Sequence, residues 1–336
     1  MKLVIQIPAR NEEAMLPAAL AALPRSVNGF RHVAVLVVDD GSSDRTHEIA
    51  LGGADRIVRF VSHRGLAAAF SAGIEEALAM GADVIVNFDA DLQYDPADIP
   101  ALIAPILAGR ADLTVGDRRP GDLAHFSRGK RLLQRLGSWV VRQVSGLDVH
   151  DATSGFRAVS RQAARRLNVF SKMTYTLETL IQAGSKGLRV ESVPVAARPV
   201  ERESRLFASH AKYVLIQGAS ILRMTALYKP LKIFSAAALV FFLAGLCLLC
   251  WASVSYVSGY QRAGLVLPLS LGAVMIVIGF QSFLIALLAD LVAINRTLLE
   301  ELKLREAPKI LRAPSTDGTE PSEQERIARP PQKTPS

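Results

Sequence analysis

The sequence is poor in cysteine, in charge and in the short motifs that mark the common nucleotide enzymes. Two cysteines in 336 residues, Cys247 and Cys250, leave no disulfide framework and argue against an exported, stapled domain. No Gly-x-Gly-x-x-Gly and no Walker-type loop occurs, which disfavours a dinucleotide oxidoreductase or an ATPase. The stretch from Met1 to Pro8 is too short to be a signal peptide. Charged residues make up only 21% of the chain against 50% hydrophobic, which excludes disorder for most of it. A mean hydropathy of +0.25 is high for a wholly soluble protein, and it predicts that part of the chain meets lipid.

Two stretches contain no charge at all. They comprise 29 residues between Lys232 and Arg262, and 27 between Arg262 and Asp290. Each exceeds the roughly 20 residues that a helix needs to cross the hydrocarbon core. The expected spans are Ile233 to Tyr256 and Leu265 to Ala289, with Gly245, Gly272, Gly279, Gln281 and Ser282 suited to a helix-to-helix face. Arg223, Lys229 and Lys232 precede the first span, and Arg296, Lys303 and Arg305 follow the second. Only Arg262 lies between them, so both flanks are expected on the cytoplasmic side of the membrane. Cys247 and Cys250 then read as small apolar filler inside a span. The segment 205–228 mixes apolar residues with His210, Lys212 and Arg223, in the manner of a helix lying along the membrane surface. Residues 308–336 hold six of the 17 prolines and read as a disordered tail.

Residues 1 to about 200 have a different texture, in which short β-branched runs alternate with alanine-rich stretches of helical length. Strands are predicted at Leu3–Ile7, Val33–Val38, Arg56–Val61, Val84–Phe88, Leu113–Val115 and Val190–Val195. Helices are predicted at Glu12–Leu23, Asp44–Leu51, Leu66–Met80, Ile99–Leu107, Arg128–Val144 and Tyr175–Ala183. The alternation implies an α/β domain with a mostly parallel sheet, in which sites form beyond the carboxyl ends of the strands. Three such ends carry chemistry: Pro8 to Glu13, Asp39 to Asp44, and Asp89 to Gln93. Ser43 or Asp44 suits the cap of a helix. Asp39 ends an apolar strand, where a carboxylate is costly unless it accepts a hydrogen bond, for example from the edge of a nucleobase. Asp89, Asp91 and Gln93 are spaced two apart, so in extended chain their oxygens face one point, which suits magnesium or manganese with a substrate phosphate. The segment 64–69 opens a helix with small residues whose backbone N–H groups suit an anion.

Residues 117–172 hold 12 Lys and Arg against four acids, an excess equal to the chain's net charge of +8. Arg128, Arg131, Arg135 and Arg142 fall on one helical stripe. Without a nucleic-acid motif and beside membrane spans, the expected partner is an anionic or phosphorylated lipid, not nucleic acid.

The segments I-P-A-R-N-E-E, V-V-D-D-G-S-S-D-R-T, F-D-A-D-L-Q, D-A-T-S-G-F-R and the E-S-R-L near residue 205 together resemble the polyprenyl-phosphate sugar transferases. These are GT-A glycosyltransferases similar to dolichyl-phosphate mannose synthase and bactoprenol glucosyltransferases. The resemblance implies a Rossmann-like GT-A domain (1–204), juxtamembrane amphipathic helices (205–230), a two-helix transmembrane hairpin (231–295) and a largely disordered cytoplasmic tail (296–336). It also implies inverting transfer of one sugar from a UDP- or GDP-sugar to polyprenyl phosphate at the cytoplasmic face of the cell inner membrane, with Mg2+ or Mn2+ as cofactor. Pro8, Arg10, Glu12, Val37 and Asp39 would hold the nucleotide, while Asp89, Ala90, Asp91 and Gln93 would hold metal and diphosphate. Arg118, Arg131 and Arg135 would grip the lipid phosphate, and Arg198 or Arg205 would meet the donor diphosphate. Related enzymes pair through their membrane segments, so a homo-oligomer is compatible. The chain departs from the family pattern at Arg10, Asp117, Gln134 and Arg202–Arg205, and it lacks the Q-x-x-R-W of processive synthases. Two rivals stay open: a transferase with a hydroxyl lipid acceptor, using Asp151 or Glu178 as base, and a non-catalytic scaffold that binds nucleotide sugars or lipid.

Overall fold

A computed structural model describes residues 1–118, 128–169, 175–197, 218–219, 222–223, 225–259 and 262–310, with backbone alone at 128–136, 262–263, 297 and 300–310. The elements follow in the order β1 (Lys2–Ala9), α1 (Leu16–Ala22), β2 (His32–Asp39), α2 (Thr46–Gly53), β3 (Arg56–Arg59), α3 (Leu66–Ala79) and β4 (Val84–Asn87). Then come α4 (Ile99–Leu107), β5 (Leu113–Asp117), α5 (Arg128–Ser145), β6 (Arg157–Ser160), α6 (Arg161–Arg166), α7 (Thr176–Ser185) and β7 (Val190–Pro194). Two long helices, Pro230–Val257 and Val266–Ile310, follow.

The seven strands form one sheet in the order β3-β2-β1-β4-β6-β5-β7, parallel except for β6, which runs against both β4 and β5. Alternation along the strands feeds two cores, one on each face. Val4, Leu36 and Val38 enter one, and Leu3, Ile5, Ile7, Val35 and Val37 the other. Chain order reverses at β1, since β2 and β3 extend to one side while β4 pairs on the other. That is the topological switch point at which α/β sheets bind ligands. The register sets Ala9 beside Asp39 and Gln6 beside Asn87, so the three chemically loaded strand ends emerge at one edge.

All six predicted strands are present. The seventh, β6, was not read from the sequence, because four residues bounded by Arg157 and Ser160 give too little apolar alternation. Helix α6 was read only as part of the basic segment. Helix α1 begins at Leu16 and not at Glu12, because the amides just before it point elsewhere. Asn11 N–H donates to Ser42 Oγ at 3.0 Å, Glu12 N–H to Thr46 Oγ1 at 2.8 Å and Glu13 N–H to an Asp44 carboxyl oxygen at 3.2 Å. Asn11 adopts φ 52°, in the left-handed region that asparagine tolerates.

The helices Pro230–Val257 and Val266–Arg296, the latter within the second long helix, are long and apolar enough to cross a membrane. They pack through small residues as expected. A Cβ on Gly245 would lie 2.8 Å from the Gly272 carbonyl, and one on Gly279 would lie 2.9 Å from that of Ala238. Cys247 and Cys250 are exposed free thiols on the first of these helices. Of the amphipathic segment expected at 205–228, only 218–219, 222–223 and 225–228 are described, as helix, and the tail from 311 lies outside the described residues.

Candidate active site

Beyond β2, the doublet Asp39-Asp40 divides its work. Asp39 is fully buried, and its Oδ1 accepts the Ser42 N–H at 2.9 Å. Its Oδ2 accepts no hydrogen bond, although Arg59 Nε lies 3.3 Å away and His47 Nδ1 3.7 Å. A buried carboxylate oxygen without a hydrogen bond is costly, so it is suited to accept one from a ligand donor. Asp40 is structural. It accepts from Arg64 N–H at 2.7 Å, Gly65 N–H at 3.0 Å and His63 Nδ1 at 2.8 Å, anchoring the loop between β3 and α3. The amides of segment 64–69 are thus partly spent on Asp40. Gly41, at φ 66°, permits the close approach of this loop, since a Cβ there would meet the Ser62 carbonyl carbon at 2.7 Å.

Beyond β4, the chain does not continue as strand through Gln93. It turns at Ala90 and Asp91, closed by the Gln93 N–H donating to Asp91 Oδ1 at 3.0 Å, with Leu92 at φ 54°. The extended spacing assumed for Asp89, Asp91 and Gln93 is therefore corrected. The two carboxylates still act on each other: burial, then the Asp91 charge, push Asp89 up to about 7, against the pull of Arg118. Among the described residues no third His, Cys, Asp or Glu joins them. Two hard oxygen donors that repel each other fit magnesium or manganese, whose remaining ligands are usually water and substrate phosphate. Among the described residues, no contact fixes the Gln93 side chain as a third ligand.

The loop 151–156 closes over Asp89. A Cβ on Gly155 would lie 2.7 Å from Asp89 Oδ2, so only glycine lets this backbone rest against the carboxylate. The Gly155 N–H donates to Tyr94 Oη at 3.3 Å, and its carbonyl accepts from Asn87 Nδ2 at 2.9 Å. Asn87 in turn accepts from Gln6 Nε2 at 2.9 Å and donates to Tyr175 Oη at 2.9 Å. Arg157 is fully buried and donates to the carbonyls of Ala152, Ser154 and Thr176 and to Thr179 Oγ1. Its burial lowers its pKa to about 10.

Arg118 departs from its expected role. Its Nε donates to Asp151 Oδ2 at 2.6 Å, and Nη2 donates to Asp151 Oδ1 and Thr153 Oγ1, both at 3.0 Å. The fork is nearly buried and committed to a carboxylate, so only its Nη1 edge, without a partner among the described residues, is left for a phosphate. Burial works to raise the pKa of Asp151, but the hydrogen bonds and charge of Arg118 hold it below the usual carboxylate range. Such a group is a poor general base. Glu178 is buried within α7 near Gln182. Val37 also departs, its side chain lying wholly in the core. Pro8 pairs with Val38 one residue before the end of β1, and Arg10 is exposed just beyond the strand. Arg198 and Arg205 lie outside the described residues, as do the side chains of Arg128, Arg131, Gln134 and Arg135.

The profile of glycosyl transferase family 2 matches residues 4–167. The polyprenol monophosphomannose synthase of Mycolicibacterium smegmatis is 34% identical over 206 residues, covering 57% of this chain and 76% of that protein. The undecaprenyl-phosphate mannosyltransferase of Micrococcus luteus is 31% identical over 214 residues, covering 60% and 85%. The chain belongs to glycosyl transferase family 2. Solved structures of glucosyl-3-phosphoglycerate synthase from Mycobacterium tuberculosis share the fold. Its UDP complex superposes with a TM-score of 0.54 at 22% identity over 67% of this chain and 80% of that one. Its complex with Mn2+, UDP and glucosyl-3-phosphoglycerate gives 0.51 at 20% over 67% and 78%. This family 2 glycosyltransferase therefore has a GT-A domain with a mixed, mostly parallel sheet, followed by two apolar helices consistent with a hairpin. Gly155 and the Asn87 network were not read from its sequence. The only signals were an asparagine ending the apolar run V-I-V-N and a glycine inside D-A-T-S-G-F-R.

Proposed function

We propose that this glycosyltransferase moves a single sugar, with inversion, from a nucleoside-diphosphate sugar to a polyprenyl phosphate at the cytoplasmic face of the inner membrane. Residues 1–204 form the catalytic domain, 205–230 the juxtamembrane helices, 231–295 the spanning hairpin and 296–336 a cytoplasmic tail. The observation that carries the reading is the Asp89 carboxyl, raised by burial and by the neighbouring Asp91, at the switch point of the sheet, on the same sheet edge as the buried Asp39 oxygen that accepts no hydrogen bond. Relatives named as polyprenol and undecaprenyl-phosphate mannosyltransferases support the acceptor class.

In this reading Asp39 Oδ2 accepts a ring N–H of the base. Asp89 and Asp91, with Gln93 beside them, would hold magnesium or manganese, which when bound neutralises charge growing on the leaving diphosphate. Gly155 and the Asn87 network fix the Asp89 carboxylate in place. A phosphate monoester acceptor is already anionic near neutral pH, since its second pKa is about 6, so no strong general base is needed. That agrees with Asp151 being locked to Arg118 and Glu178 being buried, and it disfavours the hydroxyl-acceptor alternative. Attack opposite the leaving group gives inversion, and the chain's main contribution is to hold two anions in reach of each other.

The test incubates purified protein with polyprenyl phosphate, manganese and a panel of nucleotide sugars, and weighs the lipid product. The wild type is expected to add one hexose mass and Asp91→Asn almost none. Wild-type turnover by Asp91→Asn, or transfer to diacylglycerol in place of polyprenyl phosphate, would refute the reading.

A further inference from the structure

Helix α5 meets the start of the apolar hairpin. The Lys229 ammonium, one residue ahead of the helix Pro230–Val257, donates to the carbonyl of Val144 in the last turn of α5. That contact holds the C-terminal end of α5 at the level where the chain enters its apolar run. Five residues back along α5, about 7.5 Å at 1.5 Å per residue, Trp139 stands 50% exposed. Among the described residues before the hairpin, the other exposed large apolar side chains are Met1, Leu51, Val61, Leu107 and Leu222, so Trp139 is the one exposed large aromatic there. The sequence of α5 carries Arg128, Lys130, Arg131, Arg135 and Arg142 and no acid.

We propose that α5 docks the catalytic domain onto the bilayer surface, with the Trp139 indole in the headgroup layer and the net positive charge of the helix sequence favouring an anionic leaflet. An indole has an apolar ring and a polar N–H, which suits it to the boundary between hydrocarbon and water. A helix with five cations and no acid is drawn to the negative surface of an anionic leaflet. Continuity with the hairpin through Lys229 selects lipid as the partner over a second protein. The inference rests on the hairpin spanning the membrane. Its consequence is that the glycosyltransferase domain is held flat beside the point where its anchor enters, close to the level at which a lipid phosphate lies.

The chain has only two tryptophans, Trp139 and Trp251, and this permits a clean test. Full-length Trp251→Phe reports Trp139 alone, and full-length Trp139→Phe reports Trp251, which lies inside the first apolar helix. Each is reconstituted in vesicles of phosphatidylcholine and phosphatidylglycerol, with or without brominated acyl chains near the headgroup. Trp139 emission should move to the blue in the vesicles, fall when the lipid is brominated, and resist acrylamide. Quenching of Trp251 with an unquenched, acrylamide-accessible Trp139 would overturn the docking while leaving the spans intact. A Trp139 shielded from acrylamide yet insensitive to bromine would place a protein partner on it and equally overturn the proposal. An unquenched Trp251 would sink the spanning reading, and the docking with it.

Discussion

Gly155→Ala is the sharpest perturbation the site allows. Gly155 does not occupy the left-handed region, so alanine can adopt its backbone. The new methyl, however, would sit 2.7 Å from Asp89 Oδ2 and 3.1 Å from Tyr175 Oη. Carbon contacts settle near 3.5 Å, so the carboxylate would have to retreat by about 0.8 Å. The loop cannot easily retreat instead, because the Gly155 N–H is bonded to Tyr94 Oη and its carbonyl to Asn87 and Tyr175. A misplacement of about 1 Å in a group that orients reacting atoms costs on the order of 100-fold in rate, or about 2.7 kcal/mol of barrier. Overpacking costs the fold about 1–3 kcal/mol, so a melting curve is run beside the assay. The assay titrates manganese against the initial rate of sugar transfer to polyprenyl phosphate. The expected result is a folded variant with a rate lower by about two orders of magnitude and a higher manganese midpoint. A folded Gly155→Ala protein with the wild-type rate and midpoint would show that the Asp89 carboxylate does not set the reacting geometry.

Two further outcomes follow from the charges. Asp89 is raised from 3.8 to about 7, so a proton competes with the metal below that value. Manganese affinity by calorimetry should weaken about tenfold per pH unit below 7 and level off above it. The linkage sign for the metal-free protein is that the folded state binds the proton more tightly. Its stability therefore falls as pH rises from the ordinary carboxylate value through about 7, and manganese should recover it at pH 8. Asp151 is the opposite case, held below its ordinary value, so its contribution is present above 3.8 and lost only as pH falls through the depressed value. Asp151→Asn leaves the nearly buried Arg118 without its counter-ion and should cost about 3–5 kcal/mol. Denaturant curves should show that deficit unchanged from pH 5 to 8, and a variant as stable as the wild type would discount the pair.

The alternation of apolar runs and alanine-rich stretches made six strands and the order of the domain readable, because parallel strands buried on both faces are written as continuous β-branched runs. The strand ends could be read for the same reason: a carboxylate that follows such a run has few structural excuses. What escaped was whatever depends on a partner distant in sequence. Strand β6 exists because β4 and β5 offer it two edges, and nothing within R-A-V-S declares that. Asp39 and Asp40 are adjacent and identical in type, yet the amides of Arg64 and Gly65 make one a loop anchor, while Asp39 keeps a buried oxygen that accepts no hydrogen bond. Arg118 was expected to grip a lipid phosphate, and nothing near it in sequence shows that the fold sets Asp151 against it.

The pairing of Arg118 bears on what a divalent ion would supply. Beyond β4, the described acidic and guanidinium groups that act on one another include Asp89, Asp91 and Asp151 with Arg118 and Arg157. Arg118 is engaged by Asp151, and Arg157 is sunk beneath the loop on three carbonyls and a hydroxyl. Among these described groups three carboxyls face two guanidiniums, and burial and the Asp91 charge have lifted Asp89 toward the protonated state. A diphosphate brought to the two carboxylates alone would be repelled. A divalent ion held by Asp89 and Asp91 would supply the positive charge that relieves the carboxylates and attracts the diphosphate. A protein that only bound lipid through its basic helix would have no use for this arrangement, because anionic headgroups are held well enough by lysine and arginine alone. The cost of keeping two unneutralised carboxylates together is therefore better explained by turnover of a diphosphate than by scaffolding.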